Sequence, residues 1–176
     1  MHSRVLIVVD MQNDFITGPL GNPECVSAVP EAADIIRNGG YDFIYVTADT
    51  HYEDYLSTQE GKNLPVRHCI SGTEGWEIVP EIRNALDAAG NYRIIMKNTF
   101  GSAELGKILS RECFADSEAD IIGVCTDICV VSNALIVKSM NPEMRITVIS
   151  GACAGSSPEK HSAALETMRS CQIRAV

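Results

Sequence analysis

The stretch RVLIVVD, residues 4–10, is five consecutive aliphatic side chains between an arginine and an aspartate. Such a run lacks the alternation of a half-exposed strand. It predicts a strand buried on both faces, as in a parallel sheet covered by helices. Working outward, the same kind of run recurs in DFIYVTAD (42–49), YRIIMKN (92–98), ADIIGVC (119–125), RITVISG (145–151) and QIRAV (172–176). Between these runs lie amphipathic stretches with apolar residues three and four apart. They predict helices over 28–40, 78–90, 102–111, 127–140 and 157–170. Ser157 caps the last of these, with Pro158 in its first turn and Glu159 following. Strand and helix alternate throughout, so the expected fold is a single-domain, doubly wound α/β sheet with helices on both faces, over residues 1–176. The segment 50–76 breaks the pattern. It is polar, contains Gly61, Pro65 and Gly72, and has no clear periodicity. A loop of that length in a compact domain is usually functional or mobile, and a lid is one reading of it.

The bulk composition narrows the partners. The formal net charge is −9, which argues against nucleic acid and anionic membrane. No apolar run reaches the roughly 20 residues of a membrane helix, and the first residues lack a signal-peptide core. A cytoplasmic protein is expected. The seven cysteines (25, 69, 113, 125, 129, 153 and 171) are odd in number and include no C-x-x-C pair. In a reducing compartment most of them read as small buried hydrophobes.

Open parallel sheets bind ligands beyond the carboxyl ends of their strands. The first four strands end in Asp10, Asp49-Thr50-His51, Lys97 and GVCTDIC (123–129). Taken singly, Asp10 also reads as a turn residue and Lys97 as a solvated strand end. Together they predict one convergent polar site. Within GVCTDIC, Cys125 ends a buried strand and Cys129 sits in the first turn of the next helix. Unpaired N–H groups at a helix start favour thiolate and receive a developing oxyanion. Cys129 is therefore the better nucleophile and Cys125 the better core residue. A nearby Lys97 is expected to acidify the thiol, and Asp10 to shuttle its proton to a leaving amine. Asp49-x-His51, with His68 downstream, is an Asp/His₂ set suited to Zn²⁺ or Fe²⁺, although a lone D-x-H is more often a surface turn. His161, on an amphipathic helix, reads as structural, and His2 as a terminal surface residue.

LIVVDMQNDF, TADTH, PVRHCISGTEG, MKNTFGS and GVCTDICV, in this order, resemble the isochorismatase-like cysteine hydrolases, and among them the nicotinamidases. The resemblance spans nearly the whole chain. It implies Cys129 as nucleophile, Asp10 as acid/base and Lys97 between them. It implies a cis peptide at Val124–Cys125 and an oxyanion hole from the backbone N–H groups of Cys125 and Cys129. It also implies a divalent metal held by Asp49, His51 and His68, zinc first, with iron or manganese as alternatives. Some family members place a further histidine six residues after the first; this chain has Ser57 there, and Glu60 is the candidate fourth ligand. A solvated loop charge is the other reading of Glu60. Phe15 and Val124 are expected in the substrate pocket, with Trp76 a further candidate. Many nicotinamidases carry a tryptophan beside the last metal histidine, where this chain has Pro65-Val66-Arg67. The implied activity is hydrolysis of a small amide, nicotinamide first, in NAD salvage, by a homodimer or tetramer. An N-carbamoyl or ureido amidohydrolase of the same family is the alternative. A non-catalytic interaction domain and a Cys125–Cys129 redox pair are the more distant ones.

Overall fold

The computed structural model describes residues 3–111 and 116–176. His2 and Cys113 lie outside them. Six strands form one sheet: β1 (Arg4–Val9), β2 (Phe43–Asp49), β3 (Tyr92–Lys97), β4 (Glu118–Val124), β5 (Arg145–Ala154) and β6 (Arg174–Ala175). Their order is β3-β2-β1-β4-β5-β6, and every pairing is parallel. The chain first winds away from β1 through β2 to β3, then returns to β4 on the other side of β1. That reversal opens a crevice above the carboxyl ends of β1 and β4.

The α-helices are α1 (Asn13–Ile16), α2 (Pro23–Asn38), α3 (Gln59–Asn63), α4 (Pro80–Ala89), α5 (Ala103–Arg111), α6 (Val131–Met140) and α7 (Pro158–Ser170). Leu6 and Val8 of β1 pack with Ala32 and Ile36 of α2 and Ile82 and Leu86 of α4. Val5, Ile7 and Val9 face the other way, onto Leu105 of α5, Ala134 of α6 and Met168 of α7. Period-two alternation thus splits an all-apolar strand between two cores.

The element order matches the expectation, with local differences. α2 begins at Pro23, before the predicted residue 28, because Asn22 caps it by accepting from the Cys25 N–H and Pro23 fits its first turn. β5 runs on to Ala154, past the predicted 151, with a register shift against β4 between Ile121 and Gly123. The helix predicted over 127–140 is a π-helical turn, Thr126–Val130, followed by α6. The 50–76 segment contains a 3-10 turn at Tyr55–Ser57, α3, and a second 3-10 turn at Glu74–Trp76. The six described cysteines are free, five of them buried and Cys171 exposed. No helix among the described residues is long and apolar enough to cross a membrane.

Gly123 brings the two sides of the crevice together. Its φ of 123° suits glycine, and a Cβ there would lie 2.1 Å from the Val9 carbonyl oxygen. The end of β4 can therefore close onto the end of β1.

Candidate active site and metal centre

Register decides which side chains meet. Val9 is paired with Thr47, Thr47 with Ile95, and Asp49 with Lys97. Residues in register on parallel strands face the same way, so Thr47, Asp49 and Lys97 continue the face carrying Val9 and Ile95. Cys129 is buried in that same layer. β1 ends as Asp10 turns out of the ladder with φ 49°, its N–H still donating to the Thr47 carbonyl.

Asp10, Lys97 and Cys129 are 0%, 6% and 5% exposed. Lys97 Nζ lies 2.7 Å from Asp10 Oδ2 and 3.7 Å from Cys129 Sγ. The Thr47 hydroxyl donates to Asp10 Oδ1 at 2.6 Å. The three groups predicted to converge do so. Burial raises the Asp10 pKa, and the adjacent Lys97 charge opposes it. Lys97 pays for its own burial through Asp10, Cys129 and Asp49, which together hold its pKa above the ordinary lysine value. Two effects oppose each other at the thiol. Burial, and then the Asp10 charge, push the Cys129 pKa well up, against the lowering effect of Lys97. Burial thus opposes ionisation of the thiol, and Lys97 favours it.

Asp49 joins this group to a second one. Its Oδ1 lies 3.3 Å from Lys97 Nζ, and its Oδ2 lies 2.9 Å from His51 Nε2 and 3.6 Å from His68 Nε2. Burial opposes its ionisation, but the adjacent His51 and His68 rings and the Lys97 charge hold its pKa well below the carboxylate range. Glu60 Oε1 lies 3.6 Å from His51 Nε2 and 3.7 Å from His68 Nε2. The sequence neighbourhoods come together through backbone pairing. The His51 N–H donates to the Cys69 carbonyl, and the Ser71 N–H to the His51 carbonyl. Asp14 Oδ2 accepts from the Cys69 N–H at 2.7 Å and ties down the same strand of chain. α3 carries Glu60 inward, with Thr58 capping its start.

The donor chemistry of this group fits a divalent cation. One ligand atom from each of Asp49, His51, Glu60 and His68 lies within 4.8 Å of the others. A tetrahedral ion with bonds of about 2.1 Å has edges of about 3.4 Å, close to most of these separations. His51 Nε2 is buried and makes no hydrogen bond of good geometry, with the Asp49 and Glu60 carboxylate oxygens 2.9 and 3.6 Å away. His68 Nδ1 sits 2.8 Å from the Val66 carbonyl, which orients the ring and directs Nε2 inward.

A cleft of about 900 Å³ is walled by His51 and Glu60 of the four donors and by Thr50, Tyr55, Phe100 and Ile128 among others, with Ile128 next to the buried Cys129. Of the three predicted pocket residues, none is part of this wall. Phe15 is buried with its ring edge-on to His68 at 5.4 Å. Trp76 donates from Nε1 to the Thr50 hydroxyl, and so supports a wall residue. Val124 is buried and precedes the Val124–Cys125 peptide, which is cis. Arg67 is not part of the cleft wall and pairs with Glu53. His161 holds the nucleophile turn, its Nδ1 2.8 Å from the Thr126 hydroxyl, and the Asp127 carboxylate accepts from the Ser156 N–H and hydroxyl.

Sequence reasoning missed four supports. Tyr55 is buried with its ring against His51 and His68 at 4.6 and 5.0 Å. Gln12 bonds the Asp49 backbone. Asn133 bonds the Cys129 carbonyl and the Ser102 N–H. Thr47 holds Asp10. Tyr55 lies where the chain has no periodicity, and Gln12 and Asn133 are ordinary polar residues until their burial is known.

The Isochorismatase domain family matches residues 4–175. The chain belongs to the isochorismatase family. A relative within it, the nicotinamidase/pyrazinamidase of Mycobacterium tuberculosis, is 31% identical over 191 residues, covering 98% of each chain. The pyrazinamidase of Pyrococcus horikoshii, solved in complex with zinc, superposes with a TM-score of 0.82 at 31% identity, covering 99% of this chain and 98% of that one. The nicotinamidase/pyrazinamidase of Bacillus subtilis superposes with a TM-score of 0.80 at 26% identity, covering 99% of both. The isochorismatase-family sheet described above is thus shared over essentially the whole chain.

Proposed function

We propose that this chain is a metal-assisted cysteine amidohydrolase that converts nicotinamide and water to nicotinate and ammonia. The observation that carries this reading is the unbroken line of buried contacts from Cys129 through Lys97 to Asp10 and Asp49, ending in the four-donor group. The relatives named nicotinamidase or pyrazinamidase supply the reaction class.

The chain is an enzyme of C–N bond hydrolysis. Asp10 takes the Cys129 proton as the thiolate attacks the carboxamide carbon. Coupling the two steps suits a thiol whose burial disfavours a free thiolate at rest. The oxyanion is received by the backbone N–H groups of Cys125 and Cys129. Asp10 returns the proton to departing ammonia, leaving a Cys129 thioester. The same carboxylate then deprotonates the water that hydrolyses it. Lys97 offsets the charge that moves between Asp10 and sulfur. Asp49, His51, His68 and Glu60 would hold a divalent ion, zinc by the chemistry of the donors, which supplies a Lewis acid for the ring nitrogen of the substrate. Tyr55 and Phe15 pack against the two histidines and keep their rings in place.

The cleft wall also bears on the alternative. Among the described residues it includes the carboxylates of Asp54 and Glu60 and no lysine or arginine. Such a wall suits a neutral amide better than an N-carbamoyl amino acid bearing its own carboxylate. A homo-oligomer belongs to this reading, and sedimentation velocity measures it directly.

The test is ammonia release from nicotinamide by purified protein, before and after chelation and with added Zn²⁺, beside Cys129→Ala. Release that needs both Cys129 and metal is the expected result. Metal binding without release from nicotinamide would move the substrate to another amide. Turnover of an N-carbamoyl amino acid by metal-free protein would overturn the reading.

A further inference from the structure

Gln12 is fully buried, and no step above uses it. Its side-chain amide is completely engaged. Oε1 accepts from the Asp49 N–H at 2.7 Å, and Nε2 donates to the Asp49 carbonyl at 2.8 Å and to the Trp76 carbonyl at 2.7 Å. All three partners are backbone groups.

The reason lies in how β1 ends. Through Val9 the strand pairs with β2, and the last ladder bond is from the Asp10 N–H to the Thr47 carbonyl. Asp10 then turns away with φ 49°, which aims its carboxylate at Lys97 but takes the β1 backbone out of the sheet. On its other side β2 stays paired with β3 through the Asp49–Lys97 register. On the β1 side, a buried N–H and C=O at Asp49 would be left without partners, which is costly. The Gln12 amide offers one acceptor and one donor to the same residue, as a neighbouring strand does. It replaces the missing ladder rung.

We propose that Gln12 is a positioning residue that sets the Asp49 carboxylate for both metal binding and contact with Lys97. This rests on the metal-centre reading above. Asp49 sends one oxygen to Lys97 and the other towards His51 and His68, so a shift of its backbone disturbs both groups at once. The third bond fixes the Trp76 carbonyl, and the Trp76 indole in turn holds Thr50, the residue between the two metal-site side chains Asp49 and His51.

The experiment is a Zn²⁺ titration by competition with a chromophoric chelator, with the visible spectrum of the Co²⁺ form. Both are run on the full chain and on Gln12→Met and Gln12→Glu. Methionine keeps the shape and removes all three bonds. Glutamate keeps the acceptor and sets an oxygen against two carbonyls. A loss of about 10–100-fold in Zn²⁺ affinity with a changed Co²⁺ band is expected in both variants, as for other residues that orient metal ligands. A lower melting temperature of the metal-free variants, with affinity within twofold and an unchanged Co²⁺ spectrum, would mean a structural role only and overturn the proposal. Loss of the whole fold in both variants would overturn it in the same way. If the wild-type chain binds neither ion, the metal-centre reading itself falls and this inference with it. Binding by the wild type without loss in the variants removes the inference alone.

Discussion

Cys125 and Cys129 are four residues apart and both buried, but they touch different groups. Cys129 Sγ lies 3.7 Å from Lys97 Nζ, while Cys125 packs in the opposite core layer with Val124 and Ala154. Cys129→Ala should therefore lower kcat by at least about 10³-fold, as removal of a nucleophile does, whereas Cys125→Ala should leave kcat within about tenfold. Steady-state ammonia release measures both, and equal losses would remove the division of roles. His161 gives a prediction in pH. Burial lowers its pKa from 6.5, against the raising effect of Asp127. The unfolded chain thus binds its proton first as pH falls. The stabilisation is present above pH 6.5 and is lost as pH drops through the lower folded value. His161→Asn should flatten that part of the stability–pH profile, followed by urea unfolding at a series of pH values. The residue types of the site were legible in the chain because strand ends carry function in open sheets. The burial that opposes ionisation of Cys129 was not legible, because the number of atoms packed around a thiol does not follow from its place at a helix start.

At the scale of elements, the approach of β4 to β1 depends on Gly123. Alanine at φ 123° is strained, and its Cβ would meet the Val9 carbonyl oxygen at 2.1 Å. Gly123→Ala should cost about 1–3 kcal/mol or more and lower activity by prising Asp10 from the nucleophile turn. Thermal melts and kcat together read it, and a melt unchanged from the wild type would contradict the close approach. The strands were legible because continuous aliphatic runs have one stable environment, between two helical layers. The start of α2 and the split of the 127–140 helix were less so. An Asn22 cap is a side-chain bond rather than a periodicity, and the π-helical turn at Thr126–Val130 has no apolar spacing of its own. The short helix α3 was invisible for the same reason. Its residues QEGKN are polar, and it is held by the Thr58 cap and by the buried Tyr55 before it.

For the whole molecule, the four-donor group ties the end of β2, α3 and the chain around His68 into one point. A ligand that binds only the folded state stabilises it by about 4 kcal/mol at a thousand times its dissociation constant. Saturating Zn²⁺ should therefore raise the melting temperature by about 8–16 °C in a chain of this size, and Glu60→Gln should reduce the gain. Scanning calorimetry with and without chelator checks this, and equal melting temperatures would place no ion in the folded protein. Charge gives a second expectation at this scale. Because a neutral amide carries no charge for the net −9 field to steer, its turnover should change little between low and moderate salt.

The amino-acid sequence by itself determined the alternation of buried strands and amphipathic helices, and the polar groups that end the first four strands, because both are local patterns of side-chain type. Only the tertiary structure decided which of those groups touch. The register that sets Asp49 beside Lys97, the turn at Asp10, and the inward placement of Glu60 and Tyr55 all depend on contacts between residues far apart in the chain. Gln12 shows why such contacts escape a linear reading. Its role exists only because β1 leaves the sheet one rung before β2 does, and a buried backbone must find its hydrogen bonds elsewhere.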